Sequence, residues 1–372
     1  MPLVIHLVES SARHPWVENQ MVFFKEYGFD QGLLSIAAPG EIHEVLRLKS
    51  FHKVQSIKGG ISGFVRTCLT LIEWSKEEAV YIYAHGHLAS VYASFMRSLT
   101  GIDFIICHHQ QPEFFPLLRK KKYLRASIHM ALARYYLIRA RKIQSFSPEV
   151  TRSLIGRGVK AQKIVEIPLG MNFESYFELG TKSTQKSTPK AISIVAVSRL
   201  AWEKRMDLGI RSVARVLELG TPINFRIVGE GPELSNLADL IKDLGVEDHI
   251  SLLGWCGNVN EILNESDVFF HLSLTESYGQ VLMEARLSGV PIFSSPCGVA
   301  LEMEKLKDPK VHVFNSADPK IIAEEFIQFL DKIESQRSMT APDPRDLYMH
   351  HEYLNVLHEV AEMFHELVNY DS

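Results

Sequence analysis

Cysteine is scarce in this chain of 372 residues: four, at Cys68, Cys107, Cys256 and Cys297, with no metal-ligand spacing among them. That scarcity excludes a disulfide scaffold and a zinc-finger type of site, and it fits a reducing cytosol. No apolar run reaches the roughly 20 residues that a membrane-spanning helix needs. Internal repeats and low-complexity tracts do not stand out either. The opening Met1-Pro2-Leu3-Val4-Ile5-His6-Leu7-Val8 has no basic flank and runs on into polar sequence, so it reads as a buried first strand and not as a leader. Acid is locally missing: none occurs between Glu113 and Glu149, where Arg119, Lys120, Lys121, Lys122, Arg125, Arg134, Arg139, Arg141 and Lys142 all fall. Residues 1–180 carry 22 Lys and Arg against 15 Asp and Glu, and the remainder 18 against 29. A basic front half within a net charge of −4 suggests an anionic partner for that half.

What is present is an α/β pattern. The composition is globular, 46% hydrophobic and 23% charged, and the length favours two domains. Short apolar strands are expected at 3–8, 33–37, 80–83, 104–107, 143–146 and 164–167, and a second series at 192–197, 225–228, 250–253, 268–272, 291–294 and 311–314. Helical patterns, such as 206–219 and 233–244, lie between them, which argues for parallel sheets. The polar stretch 182–189 is the best linker candidate. The predicted division is 1–180, 181–345 and a terminal helix near 346–372 that returns toward the first domain. Two doubly wound units of this kind would face each other across a cleft, with ligands beyond the carboxyl ends of the strands.

Four strand ends of the second half carry the informative residues. After Val197 come Arg199 and Lys204, fixed cations suited to phosphate oxygens. After Val228 comes Gly229-Glu230-Gly231-Pro232, a turn that permits close backbone approach. Then Thr275-Glu276-Ser277-Tyr278-Gly279-Gln280-Val281 leads into a helix that holds Glu284, so backbone N–H groups at a positive helix end face outward. Ser294-Ser295-Pro296-Cys297-Gly298 closes the series. Each piece alone also reads as ordinary structure: a solvated basic loop, a common glycine turn, a surface glutamate. The eight-residue spacing of Glu276 and Glu284 recurs at Glu18/Glu26 and Glu166/Glu174.

The order of these pieces resembles the retaining glycosyltransferases of family 4, which have a GT-B fold. The resemblance rests on Arg199-Leu200…Glu203-Lys204, Val228-Gly229-Glu230-Gly231-Pro232, Glu276…Glu284 and Gly298…Glu302, and runs from about Ser145 to Ala323. It implies transfer of a sugar from a nucleotide-sugar donor, a substrate and not a cofactor, in polysaccharide, lipopolysaccharide or glycoconjugate synthesis. By the same resemblance, Arg199 and Lys204 neutralise the departing diphosphate, and Glu276 contacts the sugar hydroxyls. Glu284 takes the ribose hydroxyls, and Gly229, Gly231, Gly279, Gln280 and Val281 lie along the donor. No metal is expected, since the cations and the helix end supply positive charge and no Asp-x-Asp occurs. Departures are Ser10-Ser11 in place of paired glycines, Arg205 in place of a glycine, Val299 in place of a second glycine, and Leu169 and Asn172 in place of an Asn and an Asp.

The front half is less legible. His108, with His109-Gln110-Gln111-Pro112, follows a strand, and the resemblance places it against the reacting sugar; a structural histidine is the other reading. His85 and His87 follow another strand end, whereas His6, His14 and His312 read as packing or surface residues. The basic stretch from Arg119 to Lys142 interleaves cations with Tyr123, Leu124, Ile128, Leu132, Tyr135, Tyr136 and Ile138. It is either an amphipathic helix resting on anionic lipid through Arg119, Lys120, Lys121, Lys122 and Arg125, or a surface helix with a core-facing stripe. The expected protein is thus a glycosyltransferase, either free in the cytoplasm or peripheral on the inner face of a membrane, acting on a saccharide or lipid-linked acceptor. A nucleotide-sugar epimerase of related fold and a non-catalytic nucleotide-sugar-binding homologue stand as alternatives.

Overall fold

The structure is a computed structural model, and it describes residues 1–12, 15–57, 60–108, 121–174, 191–335 and 343–371. The linker candidate 182–189, His14, His109-Gln110-Gln111-Pro112, Arg119 and Lys120 lie outside the described residues. The chain forms two compact units, one of Met1–Pro168 with Leu354–Ser372, the other of Leu169–Tyr353.

The first unit holds seven parallel strands: β1 (Leu3–Val8), β2 (Asp30–Ser35), β3 (Lys53–Ser56), β4 (Val80–His85), β5 (Phe104–His108), β6 (Lys142–Ser145) and β7 (Ile164–Glu166). Their order across the sheet is β3-β2-β1-β4-β5-β6-β7. Helices cover both faces, so a central strand must be apolar along its whole length; all six residues of β1 are buried. The strand β3 escapes the apolar pattern because it is an edge strand in which only Val54 is buried. The terminal helix Tyr353–Asp371 begins later than its apolar periodicity suggests, because a short helix Pro344–Tyr348 and a 3-10 turn Met349–His351 precede it. Its buried face, including Val360 and Phe364, packs on Phe24, Phe29 and Tyr83 of this unit.

The second unit holds six parallel strands: β8 (Ile192–Val197), β9 (Ile223–Val228), β10 (Ile250–Gly254), β11 (Val268–His271), β12 (Ile292–Ser294) and β13 (Val311–Val313). Their order is β10-β9-β8-β11-β12-β13. Its core centres on Phe270, whose ring meets those of Phe225, Phe293, Phe314 and Phe326. Removing one such ring costs about 3–5 kcal/mol. In both sheets the winding reverses next to the first strand, between β1 and β4 and between β8 and β11. Those two reversal points are where an open α/β sheet leaves a crevice beyond its strand ends.

Candidate functional site

The crevice of the second sheet lies between the ends of β8 and β11, and Lys204 and Glu276 meet there. The loop after β8 makes a 3-10 turn over Trp202–Lys204 and brings Lys204 to Glu276 from the loop after β11, Nζ to Oε1 at 2.5 Å. The same Oε1 accepts a hydrogen bond from Ser273 Oγ at 2.8 Å and lies 3.2 Å from His271 Nε2. Burial opposes ionisation of this carboxyl, but the contact with His271 and the charge of Lys204 outweigh it and hold it at about 2. Glu276 is therefore a fixed anion that already has its cation.

His271 was not among the candidate residues, because it is the last position of a strand whose other residues are apolar. A polar residue closing such a run, five before a loop glutamate, is the signal that could have found it. Its Nδ1 lies 3.1 Å from Ser294 Oγ, so the small-residue loop after β12 orients the imidazole. Ser295 Oγ and Cys297 Sγ of that loop donate to the Ser273 carbonyl, at 2.7 and 3.4 Å. The serines and the cysteine thus hold the Glu276 loop in place from below.

The glycines hold the neighbouring loops together. A Cβ on Gly229, at φ +133°, would lie 1.8 Å from the Ser198 carbonyl oxygen, and one on Gly231 would lie 2.2 Å from that of Leu200. The turn after β9 is pressed against the loop that carries Arg199, which is exposed. Leu200 N–H donates to the Glu230 carbonyl at 2.8 Å across the same contact. Arg205 takes φ +51°, the left-handed conformation that favours the glycine expected there. Val299 is right-handed, at φ −69°, and needs no glycine.

Gly279 starts the helix Gln280–Leu287 in the left-handed conformation, and as a glycine it offers no side-chain cap of its own. Gln280 is exposed and Val281 half-buried, at the end where the first backbone N–H groups lack intrahelical partners. Glu284 is half-buried and accepts a hydrogen bond from Gln280 Nε2 at 3.1 Å, while Leu282, Met283 and Ala285 around it are buried. Arg286 on this helix is wholly buried, with Nε 2.5 Å from Asp308 Oδ2, which also accepts from Tyr348 OH at 2.8 Å. That pair anchors the helix from behind.

Residues 181–342 match the family described as Glycosyl transferases group 1. That match covers less than half of this chain and falls on the second unit. The whole chain has the GT-B fold: it superposes on Anabaena HepE, solved in complex with UDP, with a TM-score of 0.74 at 16% identity, over 98% of this chain and 99% of that one. Among curated proteins it is 27% identical over 180 residues to the N-acetyl-alpha-D-glucosaminyl L-malate synthase of Bacillus anthracis, 48% of this chain and 46% of that protein. It is 35% identical over 138 residues to the GtfA subunit of a UDP-N-acetylglucosamine–peptide N-acetylglucosaminyltransferase of Streptococcus pneumoniae, 37% of this chain and 26% of that one. These matches span less than half the length of the curated relatives.

Outside the matched residues, the first unit places His108 half-buried at the end of β5. His85 and His6 are buried together, Nε2 to Nδ1 at 3.1 Å, and His6 also faces Gln31 Oε1 at 3.0 Å. Burial lowers the His6 imidazole to about 4 despite Gln31, so it is a neutral core residue, in line with the packing role expected of it. His312 stacks on Phe293 and meets Glu325 at 3.3 Å. The helix Tyr123–Arg139 buries Ala126, Ala133, Tyr136 and Leu137, and turns Tyr123, Leu124, Ile128 and Ile138 outward together with Lys121, Lys122 and Arg125. Most of its large apolar residues thus do not form a core-facing stripe.

Proposed function

We propose that this chain moves a sugar from a nucleotide-sugar donor to a saccharide or lipid-linked acceptor with retention of configuration. The observation that carries the reading is the Lys204–Glu276 pair beside a helix start led by Gly279, at the winding reversal of the unit that matches group 1 glycosyl transferases. Lys204 and Arg199 neutralise the diphosphate as it departs, and the N–H groups at Gln280 and Val281 face its oxygens. Glu276, permanently ionised, accepts hydrogen bonds from sugar hydroxyls, and Glu284 accepts from the ribose. The bond from the anomeric carbon to the phosphate oxygen breaks while the acceptor oxygen bonds on the same face. The acceptor proton passes to the departing phosphate oxygen. A uridine diphosphate sugar is the favoured donor, supported by the UDP named with the Anabaena structure and the UDP-sugar named for the streptococcal relative.

A lipid-linked acceptor is supported by the exposed apolar residues of helix Tyr123–Arg139. They continue onto the neighbouring helix His87–Thr100, where Leu88, Phe95 and Leu99 are exposed and Phe95 meets Tyr135. Apolar surface bordered by Lys121, Lys122 and Arg125 suits the interface of an anionic bilayer. No helix among the described residues is long and apolar enough to cross a membrane. Incubation with a panel of nucleotide sugars and mixed acceptors, read by mass spectrometry, should yield a product one glycosyl unit heavier. Donor converted without acceptor, or bound and left intact, would contradict transfer.

A further inference from the structure

Away from the donor residues, three metal-binding side chains of the second unit converge. Glu302 Oε1 lies 2.6 Å from His350 Nε2 and 3.0 Å from His351 Nε2. These are the ligand atoms of one cluster, all within 4.8 Å of one another. We propose that Glu302, His350 and His351 form a binding site for a divalent transition-metal ion, with zinc as its best match, which fastens the turn Met349–His351 to the helix Ala300–Lys305. This inference does not rest on the proposed glycosyl transfer, although Glu302 belongs to the Gly298…Glu302 pattern and Tyr278 to the loop of Glu276.

The donor set decides the class of ion. Two imidazoles and one carboxylate suit zinc and its neighbours, whereas calcium and magnesium require oxygen ligands. Ligand atoms about 3.3 Å apart are needed when tetrahedral zinc sits about 2.0–2.1 Å from each. The two spacings from Glu302 are shorter than this, so uptake of an ion requires the carboxylate to draw back from both imidazoles. His350 is half-exposed on its side chain, so an ion has an entry path and a fourth position for water.

His351 carries the strongest part of the argument. It is buried, and its second nitrogen, Nδ1, lies 2.9 Å from the hydroxyl of Tyr278, itself buried. Such an outer partner fixes a metal-binding imidazole in the tautomer whose other nitrogen is free to coordinate. Backbone bonds hold the turn in register: Met171 N–H donates to the His351 carbonyl, and Tyr353 N–H to that of Met171, both at 2.9 Å.

The test is zinc binding to the full chain, freed of metal by dialysis against chelator, in competition with a zinc indicator. One tight equivalent is expected, and cobalt(II) should give the visible absorption of a tetrahedral centre. His350→Ala, at a half-exposed position that the fold tolerates, should weaken zinc at least tenfold and abolish the cobalt band. Glu302→Gln should do the same, and Tyr278→Phe should weaken zinc about tenfold through the lost outer contact. Failure of the wild-type protein to take up zinc would overturn the proposal. So would unchanged affinity in a folded His350→Ala protein, which would place the ion elsewhere.

Discussion

The two sheets reverse their winding in the same way, yet the two reversal points are built for opposite ends. In the first, Glu9 at the end of β1 reaches the start of helix His87–Thr100, and its Oε1 accepts from Leu88 N–H at 2.7 Å and Ala89 N–H at 3.5 Å. The protein has put its own carboxylate where an anionic ligand would go. A Cβ on Gly86 would lie 2.4 Å from that oxygen, so the fit is close. In the second, the helix starts at Gly279, which has no side chain of its own to cap it, and the carboxylate of the same loop, Glu276, is turned to Lys204 across the crevice. The same winding reversal thus carries a carboxylate cap at one helix start and a lysine–glutamate pair beside the other. Fold supplies the crevice, and a few side chains decide whether it is a site.

Removing the charge from the second end should have the largest effect. Lys204→Ala or Glu276→Ala should lower kcat by about 10²–10³-fold in a steady-state transfer assay, with the circular dichroism spectrum unchanged. Comparable loss from Glu9→Ala would erase the contrast between the ends. Next comes Gly229→Ala, which forces a methyl onto the Ser198 carbonyl at a positive φ. It should cost about 3 kcal/mol in urea unfolding and displace Arg199 with it.

Third, His271→Leu removes the main group that offsets the burial of Glu276, so the carboxyl should titrate well above about 2. Activity requires the ionised form, and the acid limb of the kcat profile should therefore move to higher pH. The linkage has the same sign. A carboxyl depressed from its ordinary 4.5 stabilises the fold above that value and loses the contribution as pH falls toward 2. Fourth, Glu9→Ala should cost about 1 kcal/mol of stability, the value of a helix cap, and leave nucleotide affinity intact. Smallest is Arg205→Gly, which relieves a left-handed backbone and should change stability by less than about 1 kcal/mol.

Much of this contrast was legible before any coordinates. Strands buried on both faces are written as apolar runs, so β1, β5, β8 and β11 stand out, and the residues after them follow. Lys204 and Glu276 were readable as charges at strand ends, but their direct pairing was not, since 72 residues separate them. His271 was hidden for a physical reason: one polar side chain inside a buried strand has no periodic signature, and only its neighbours after β12 give it a role. Edge strand β3 was missed because a strand covered on few sides needs few apolar residues. The outward turn of Leu124 and Ile128 was also closed to sequence, because helical spacing shows that residues share a face but not what that face meets.

The account stands on the second reversal point as an anion site and the first as a closed one, and titration calorimetry with UDP measures that directly. One site per chain is predicted, weakened at least tenfold by Lys204→Ala and unaffected by Glu9→Ala. Equal affinity in the wild-type and Lys204→Ala proteins, or loss of the site on removing Glu9, would contradict it.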